Sequence, residues 1–335
     1  MSQKPIAVVT GGAGFIGSHM VDLLLEQGYK VRVIDSLIGG RESNLAHHGA
    51  NQDLSAEWID VRALEPGSSL FDGAKHVFHF AGIGDIVPSI ERPIEYMSAN
   101  VQGTVHVLEC ARAAKTEKVV YAASSSCYGL ADTPTREDHR IDPQYPYALS
   151  KYQGEQAVFH WHRVYGLPVN SICIFNAYGT RVRTTGAYGA VFGVFFRQKL
   201  AGKPFTVVGD GSQRRDFIYA SDVAAAFLAA AKTSIVGERF NVGAGNPQSV
   251  NRLIELIGGE VQYIPKRPGE PDCTWADITK ITSQIGWKPT VSFEDGVARM
   301  MAEISHWKDA PLWDPASIEK ATKTWFQYLG GKQTA

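Results

Sequence analysis

The run Thr10-Gly11-Gly12-Ala13-Gly14-Phe15-Ile16-Gly17 joins a β-branched stretch, Ile6 to Val9, to an apolar-periodic stretch over about Phe15 to Glu26. Gly11, Gly14 and Gly17 therefore fall on a strand-to-helix turn, the context that makes a glycine fingerprint informative. Without side chains there, the backbone can approach a pyrophosphate, which rests on the helix N-terminus. Gly28 ends the helix, and Lys30 to Asp35 reads as the second strand. Glu57 to Asp60 and His76 to Ala81 read as further strands, followed by a helix over Ala99 to Ala114. A strand at Lys118 to Ala123, a helix holding Tyr147 and Lys151, and a strand at Val169 to Phe175 complete the series. Strands alternating with helices predict an α/β chain with a Rossmann-type, doubly wound parallel sheet.

Past Asn176 the signals shorten. The expected division is a dinucleotide-binding domain over 1–176 with a returning segment at about 217–243. A smaller α/β lobe for substrate would use 177–216 and 244–335. Near the end, Asp314-Pro315 reads as N-cap and first-turn proline. Ile318, Ala321, Thr322, Trp325 and Leu329 follow at helical spacing, with Gly330 as the stop.

The chain of 335 residues has a net charge of −1, so no electrostatic footprint favours nucleic acid or an anionic membrane. Any anionic ligand must be held by local positive groups. Cys110, Cys127, Cys173 and Cys273 are scattered without metal-type spacing and make no disulfide framework. Met1 to Pro5 runs straight into a strand, and no apolar stretch approaches the roughly 20 residues of a membrane span. These features point to a reducing, cytoplasmic setting. His47-His48 and His160-Trp161-His162 lack companion ligands at fitting spacings, so no metal is expected.

Asp35, ending the second strand, is placed to accept from adenosine ribose hydroxyls; a carboxylate there repels a 2′-phosphate and favours NAD over NADP. Asp60, after the third strand, is either a group facing the adenine or a solvated strand end. Ser124-Ser125-Ser126 follows an apolar strand, at the sheet edge where ligands of such folds bind. Tyr147 and Lys151 lie one helical turn apart. An ammonium beside a phenol favours the phenolate, which makes Tyr147 a base acting at a carbon that bears a hydroxyl. Ser124 can bond the same substrate oxygen. Separately, serine-rich strand ends and Y-x-x-x-K pairs are common; their order after the glycine turn is what carries the signal.

Together these residues resemble the extended short-chain dehydrogenase/reductases, particularly the nucleotide-sugar epimerases and dehydratases. The likeness includes His79-Phe80-Ala81-Gly82, Asn100-Val101-Gln102-Gly103-Thr104, Ser124 to Gly129 and Pro146 to Lys151. It continues through Phe175 to Gly179, Gly209 to Phe217 and Arg267-Pro268-Gly269-Glu270. The resemblance implies a triad of Ser124, Tyr147 and Lys151. It implies an NAD site lined by Phe15, Ile16, Asp60, Val61, Phe80, Ala81, Gly82 and Asn100, with Lys151 also on the nicotinamide ribose. It assigns Asn176, Arg215 and Arg267 to a nucleotide diphosphate, Glu270 to a ribose, and Ala190, Val191 and Val208 to a base. A guanidinium fork suits a diphosphate; alternatively, Arg215 forms a plain ion pair with Asp216.

The family's dehydratases carry an acidic pair directly after the catalytic Thr or Ser. Here those positions are Ser125 and Ser126, which cannot act as carboxylic acid and base. Epimerisation remains: Tyr147 takes the O4 proton, hydride passes from C4 to NAD, and it returns to the other face of the 4-keto sugar. The expectation is a UDP-hexose or UDP-N-acetylhexosamine 4-epimerase. Other reactions on the scaffold stay open: a C2-epimerase, an oxidase, a dehydratase or a UDP-uronate decarboxylase. So does an NAD(H)-binding regulator without turnover. By resemblance Thr274, being small, admits 2-acetamido sugars into the sugar pocket. Gly84 replaces a lysine that some epimerases carry, and Cys173 replaces an arginine common just before the Phe-Asn pair. A homodimer pairing through the helices at 99–114 and 147–165 is the further implication, with polysaccharide biosynthesis as the setting.

Overall fold

The computed structural model describes residues 4–185, 191–266 and 270–330. Its first half alternates strand and helix: β1 Ile6–Thr10, α1 Phe15–Glu26, β2 Lys30–Asp35, β3 Leu54–Trp58, β4 Ala74–His79, α2 Ile86–Glu91, α3 Pro93–Met97, α4 Gly103–Ala113, β5 Lys118–Ser124, α5 Pro146–Tyr165 and β6 Val169–Ile174. There follow β7 Asn176–Tyr178, α6 Val191–Leu200, β8 Phe205–Val208, β9 Arg214–Arg215, β10 Phe217–Tyr219, α7 Ala220–Lys232 and β11 Glu238–Val242. The rest is β12 Gln248–Ser249, α8 Val250–Ile257, β13 Val261–Ile264, α9 Thr279–Ile285, α10 Phe293–Ala302 and α11 Pro315–Leu329.

Seven strands form one parallel sheet in the order β11-β6-β5-β4-β1-β2-β3. From β1 the chain winds outward through β2 and β3, then returns to β4 on the other side. The crevice between β1 and β4, at their carboxyl ends, is therefore the switch point where such sheets bind ligands. Helices cover both faces, which is why Ala7, Val8 and Val9 are fully buried in succession and show no alternation.

Two apolar clusters flank the sheet, one centred on α1 and α7 and one on α4 and α5. A third gathers Tyr178, Phe192, Phe195, Phe196, Phe217, Phe293 and Trp307, outside the sheet. In α11, Asp314 and Ser317 form a reciprocal capping box, and Ile318, Thr322 and Trp325 are buried. Trp325 lies 6.1 Å from the ring of Tyr145.

Three of the boundaries that differ from those expected have a visible cause. The third strand is Leu54–Trp58, not 57–60, because Asp60 instead caps a short 3-10 helix, Val61–Ala63, by accepting from the Arg62 N–H. The fourth stops at His79, where Phe80 N–H bonds the Thr10 carbonyl and the chain turns across the sheet edge. The helix expected from Ala99 opens with a π-helical turn, Ser98–Gln102, before α4; such turns recur at functional sites. Among the described residues no helix is long and apolar enough to cross a membrane.

Candidate active site

A cavity of about 520 Å³ occupies the switch point. Its floor is the glycine turn. Gly11 has φ +71°, and a Cβ there would lie 2.7 Å from Ala81 N. A Cβ on Gly17 would collide with the Gly11 carbonyl oxygen. Only glycine lets α1 start this close to β1 and β4. Asp35 is buried, with Oδ2 accepting from Ala13 N–H at 3.0 Å and Oδ1 from Leu37 N–H at 2.8 Å. Burial raises its pKa, and those two backbone donors offset the rise. One carboxylate thus orders the glycine turn and the loop after β2, and still faces the cavity.

Gly11, Gly14, Phe15, Ile16, Gly17, Asp35, Asp60, Val61, Phe80, Ala81, Gly82, Tyr147 and Lys151 all line this cavity, as expected of a dinucleotide site. Asp60 is held by Arg62, whose Nε donates to Oδ1 at 3.0 Å; Arg62 lowers the carboxyl's pKa. Asn100 departs from its expected place. It is 1% exposed and does not line the cavity. Its Oδ1 accepts from Ile83 N–H at 2.7 Å, and its Nδ2 donates to the Ile83 carbonyl and to Ser150 Oγ, each at 2.9 Å. These bonds tie the Gly82–Gly84 loop to α5. Ser36, Ile38, Gly39 and Gly40 also line the cavity. The only sequence signal for them is their position after the Asp35 strand.

Under the cavity a polar chain ties β1, β4 and α4. Thr104 Oγ1 donates to the Asn100 carbonyl at 2.7 Å, so it accepts from His79 Nε2–H at 2.9 Å. His79 Nδ1 then accepts from Thr10 Oγ1 at 2.6 Å, and Thr10 accepts from Ala81 N–H at 3.3 Å. Full burial depresses the His79 pKa to about 3, keeping the ring neutral.

Pro146 at the first position of α5 sets Tyr147 in the opening turn, one turn before Lys151. Ser124 closes β5, and its Oγ meets Ser126 Oγ at 2.6 Å. Tyr147 lines the same cavity as Ser124; burial raises its pKa, and the neighbouring Ser124 hydroxyl opposes the rise. Lys151 is 7% exposed, 4.5 Å above the Tyr121 ring, and burial depresses its pKa from 10.5 to about 8. Here the structure corrects the sequence argument. Burial dominates, so the phenol's pKa is raised rather than depressed as the pairing with Lys151 led one to expect. A Cβ on Gly84 would sit 3.7 Å from the Tyr147 hydroxyl, so the absence of a side chain leaves room beside it.

A second cavity of about 210 Å³ adjoins the first at Ala177, which lines both. Asn176, Val191, Val208, Arg215 and Glu270 line it, in keeping with a nucleotide site. Arg267 and Ala190 lie outside the described residues. Arg215 NH2 donates to Glu270 Oε1 at 2.8 Å, and NH1 to the Pro271 carbonyl at 2.9 Å. The alternative pairing with Asp216 does not form: Asp216 is fully buried and accepts from the Ala244, Gly245 and Ala276 N–H groups. Thr274 is not on the cavity wall; its hydroxyl donates to Asn176 Oδ1 at 2.5 Å, placing it behind Asn176. Ser125 and Ser126 line neither cavity, and Ser126 turns its hydroxyl to Ser124. Away from both cavities, His47 and His48 do have a companion that spacing did not reveal: both meet Asp22.

Residues 7–243 match the NAD dependent epimerase/dehydratase family. The chain is 35% identical over 304 residues to a UDP-glucose 4-epimerase of Mycolicibacterium smegmatis, covering 87% of this chain and 96% of that protein. It is 32% identical over 307 residues to a UDP-glucuronate 4-epimerase of Thermodesulfobacterium geofontis, covering 87% and 94%. A similar solved structure is the Bacillus cereus UDP-glucuronic acid 4-epimerase in complex with UDP-glucuronic acid and NAD. It is 30% identical with a TM-score of 0.83, over 90% of this chain and 99% of that one. The chain belongs to the NAD-dependent epimerase/dehydratase family, the extended short-chain dehydrogenase/reductases that its motifs resemble.

Proposed function

We propose that the chain is an NAD-dependent nucleotide-sugar 4-epimerase acting on a UDP-hexose or UDP-N-acetylhexosamine. The observation that carries this reading is that Ser124 and Tyr147 both line a dinucleotide-sized cavity that adjoins, at Ala177, a smaller one lined by Arg215. A sugar tethered by its diphosphate in the smaller cavity would present a carbinol to that pair. Tyr147 takes the carbinol proton while Ser124 holds the oxygen. The pair returns the proton after the sugar has turned. NAD held in the larger cavity would supply a hydride acceptor, and its cationic nicotinamide ring would favour ionisation of a buried phenol. The residues fit it: Gly11, Gly14 and Gly17 leave backbone bare for a pyrophosphate, and Asp35 faces the cavity as a ribose acceptor. The hydroxyls of Ser125 and Ser126 disfavour dehydration, which needs a carboxylic acid and base there.

On this reading Ser124, Tyr147 and Lys151 are catalytic. The chain divides into a cofactor domain over 1–176 with 217–243, and a substrate lobe from 177–216 and 244–335. It acts as a cytoplasmic homodimer in polysaccharide biosynthesis. The test is to incubate pure protein separately with UDP-glucose, UDP-galactose, their N-acetyl forms and UDP-glucuronate, resolving products by chromatography. Interconversion of a 4-epimer pair without net NADH is expected. Failure with every pair rejects the proposal, and CO2 release from the uronate would establish a decarboxylase instead.

A further inference from the structure

Asp22 lies on α1, and His47 and His48 end a 3-10 helix, Glu42–His48. Both imidazoles direct Nε2 at one oxygen, Asp22 Oδ1, at 2.9 Å from His47 and 2.7 Å from His48. The three potential ligand atoms lie within 4.8 Å of one another. The other carboxylate oxygen accepts from Arg181, whose NH2 also meets His19 Nδ1 at 2.9 Å and whose NH1 donates to the Asn44 carbonyl at 3.3 Å. Arg181 therefore fixes the carboxylate with Oδ1 turned to the histidines, the way an outer partner orients a ligand. The His47 side chain is 50% exposed, against 18% for His48 and 23% for Asp22. The cluster is thus supported from below and open to solvent on one side.

We infer that Asp22, His47 and His48 form a binding site for a divalent transition-metal ion of the zinc type, completed by water. Two imidazole nitrogens and one carboxylate oxygen suit Zn2+ and its neighbours; Ca2+ and Mg2+ require mainly oxygen donors. In an imidazole that carries its single proton on Nε2, shifting that proton to Nδ1 frees the lone pair already aimed at the shared point. The ion would bridge α1 to the helix carrying Asn44. Asn44 Nδ2 donates to the Ala13 carbonyl at 2.8 Å, and Arg41 N–H bonds the same oxygen at 3.0 Å. The site would therefore cross-link two elements that hold the glycine turn, and its role is structural.

The experiment uses full-length protein freed of any affinity tag, stripped with a chelator and titrated with Co2+ and then Zn2+. The expected result is one ion per chain at micromolar concentration, with the visible absorption of four-coordinate cobalt and displacement by Zn2+. The melting temperature should rise with Zn2+, because the ion binds the folded chain preferentially. His47→Ala combined with His48→Ala should abolish both signals while leaving circular dichroism and sugar interconversion unchanged. Asp22→Asn, which keeps an oxygen for Arg181, should weaken binding at least about tenfold. The inference is overturned if the parent binds no cobalt in that range, or if the double variant still binds one ion. A sulfur-to-cobalt charge-transfer band would also overturn it by placing the ion on the partly exposed Cys273.

Discussion

Replacing Lys151 with methionine should stabilise this protein while destroying its activity. The lysine is 7% exposed, and its Nζ makes no hydrogen bond among the described residues; it sits over the Tyr121 ring at 4.5 Å. Burial holds its pKa at about 8 against an ordinary 10.5. At about 1.36 kcal/mol per pH unit, keeping the proton on in the folded chain costs about 3 kcal/mol. Glu155, one turn further on α5, pulls the pKa back up but does not overcome the burial. Methionine matches the length and carries no charge, though it forfeits a cation–π contact of about 0.5–2 kcal/mol. The net expectation is a gain of about 1–3 kcal/mol at neutral pH.

The pH dependence distinguishes this cause from better packing. Below about pH 8 the lysine is protonated whether folded or not, and the full penalty applies. Between about 8 and 10.5 the folded chain gives up its proton first, so the parent gains stability relative to the variant. Above 10.5 the two should match. Urea denaturation of both proteins without dinucleotide, from pH 6.5 to 10.5, reads the gap directly. A methionine variant no more stable than the parent at pH 7, or a gap that does not close as the pH rises, would refute the reasoning.

Tyr147→Phe should lower turnover by about 10²–10⁴-fold with dinucleotide binding retained; loss of less than tenfold in the chromatographic assay would remove Tyr147 from its proposed role. Gly17→Ala drives a methyl into the Gly11 carbonyl and should abolish dinucleotide binding as measured by calorimetry. Asp35→Ser should erode discrimination between NAD and NADP at least about tenfold, read as the ratio of dissociation constants, since a serine no longer repels a 2′-phosphate. Arg239→Met strands the fully buried Glu155, which also accepts from Ser171 Oγ at 2.6 Å, and should cost about 3–5 kcal/mol in denaturation. Adding Glu155→Met should recover most of that loss.

The nucleotide half of the fold was legible because its signals are local. A glycine turn, a period-3.6 stripe and β-branched runs place α1 and β2 at their observed bounds. Where the signal was a residue's chemistry, the sequence identified what reaches the crevice but not what its polar atoms were already doing. Asn100 and Thr274 have the right chemistry for ligand contact, yet both are engaged by protein partners, Ile83 and Ser150 in one case and Asn176 in the other. The substrate lobe was the least legible part. Its core joins Tyr178, Phe192, Phe217 and Phe293, with ring centroids 4.9 Å apart for the first pair and 5.2 Å for the last. Aromatic contacts between residues so far apart in the chain leave no periodic trace. Asp22 meeting His47 and His48 is invisible for the same reason.

The engaged polar groups also account for which groups remain to act. His79 is neutral and bonded on both nitrogens, Asp216 is saturated by backbone donors, and Glu155 is claimed by Arg239 and Ser171. None of them can exchange a proton with a ligand without breaking a buried bond. Ser124, Tyr147 and Lys151 differ in that they border open space. Their pKa values run against the charged forms, Tyr147 raised and Lys151 lowered, so the pair rests uncharged more readily than either group would in water. Positive charge entering the cavity beside Tyr147 would therefore favour its phenolate. Moving Tyr147 by one position on α5 would carry the phenol off the cavity wall, whereas a change of the same size at the solvated tip of α11 would not touch the chemistry. On the proposed reading, catalysis therefore depends on the seating of α5 through the hydrogen bond between its Ser150 and Asn100, neither of which lines either cavity.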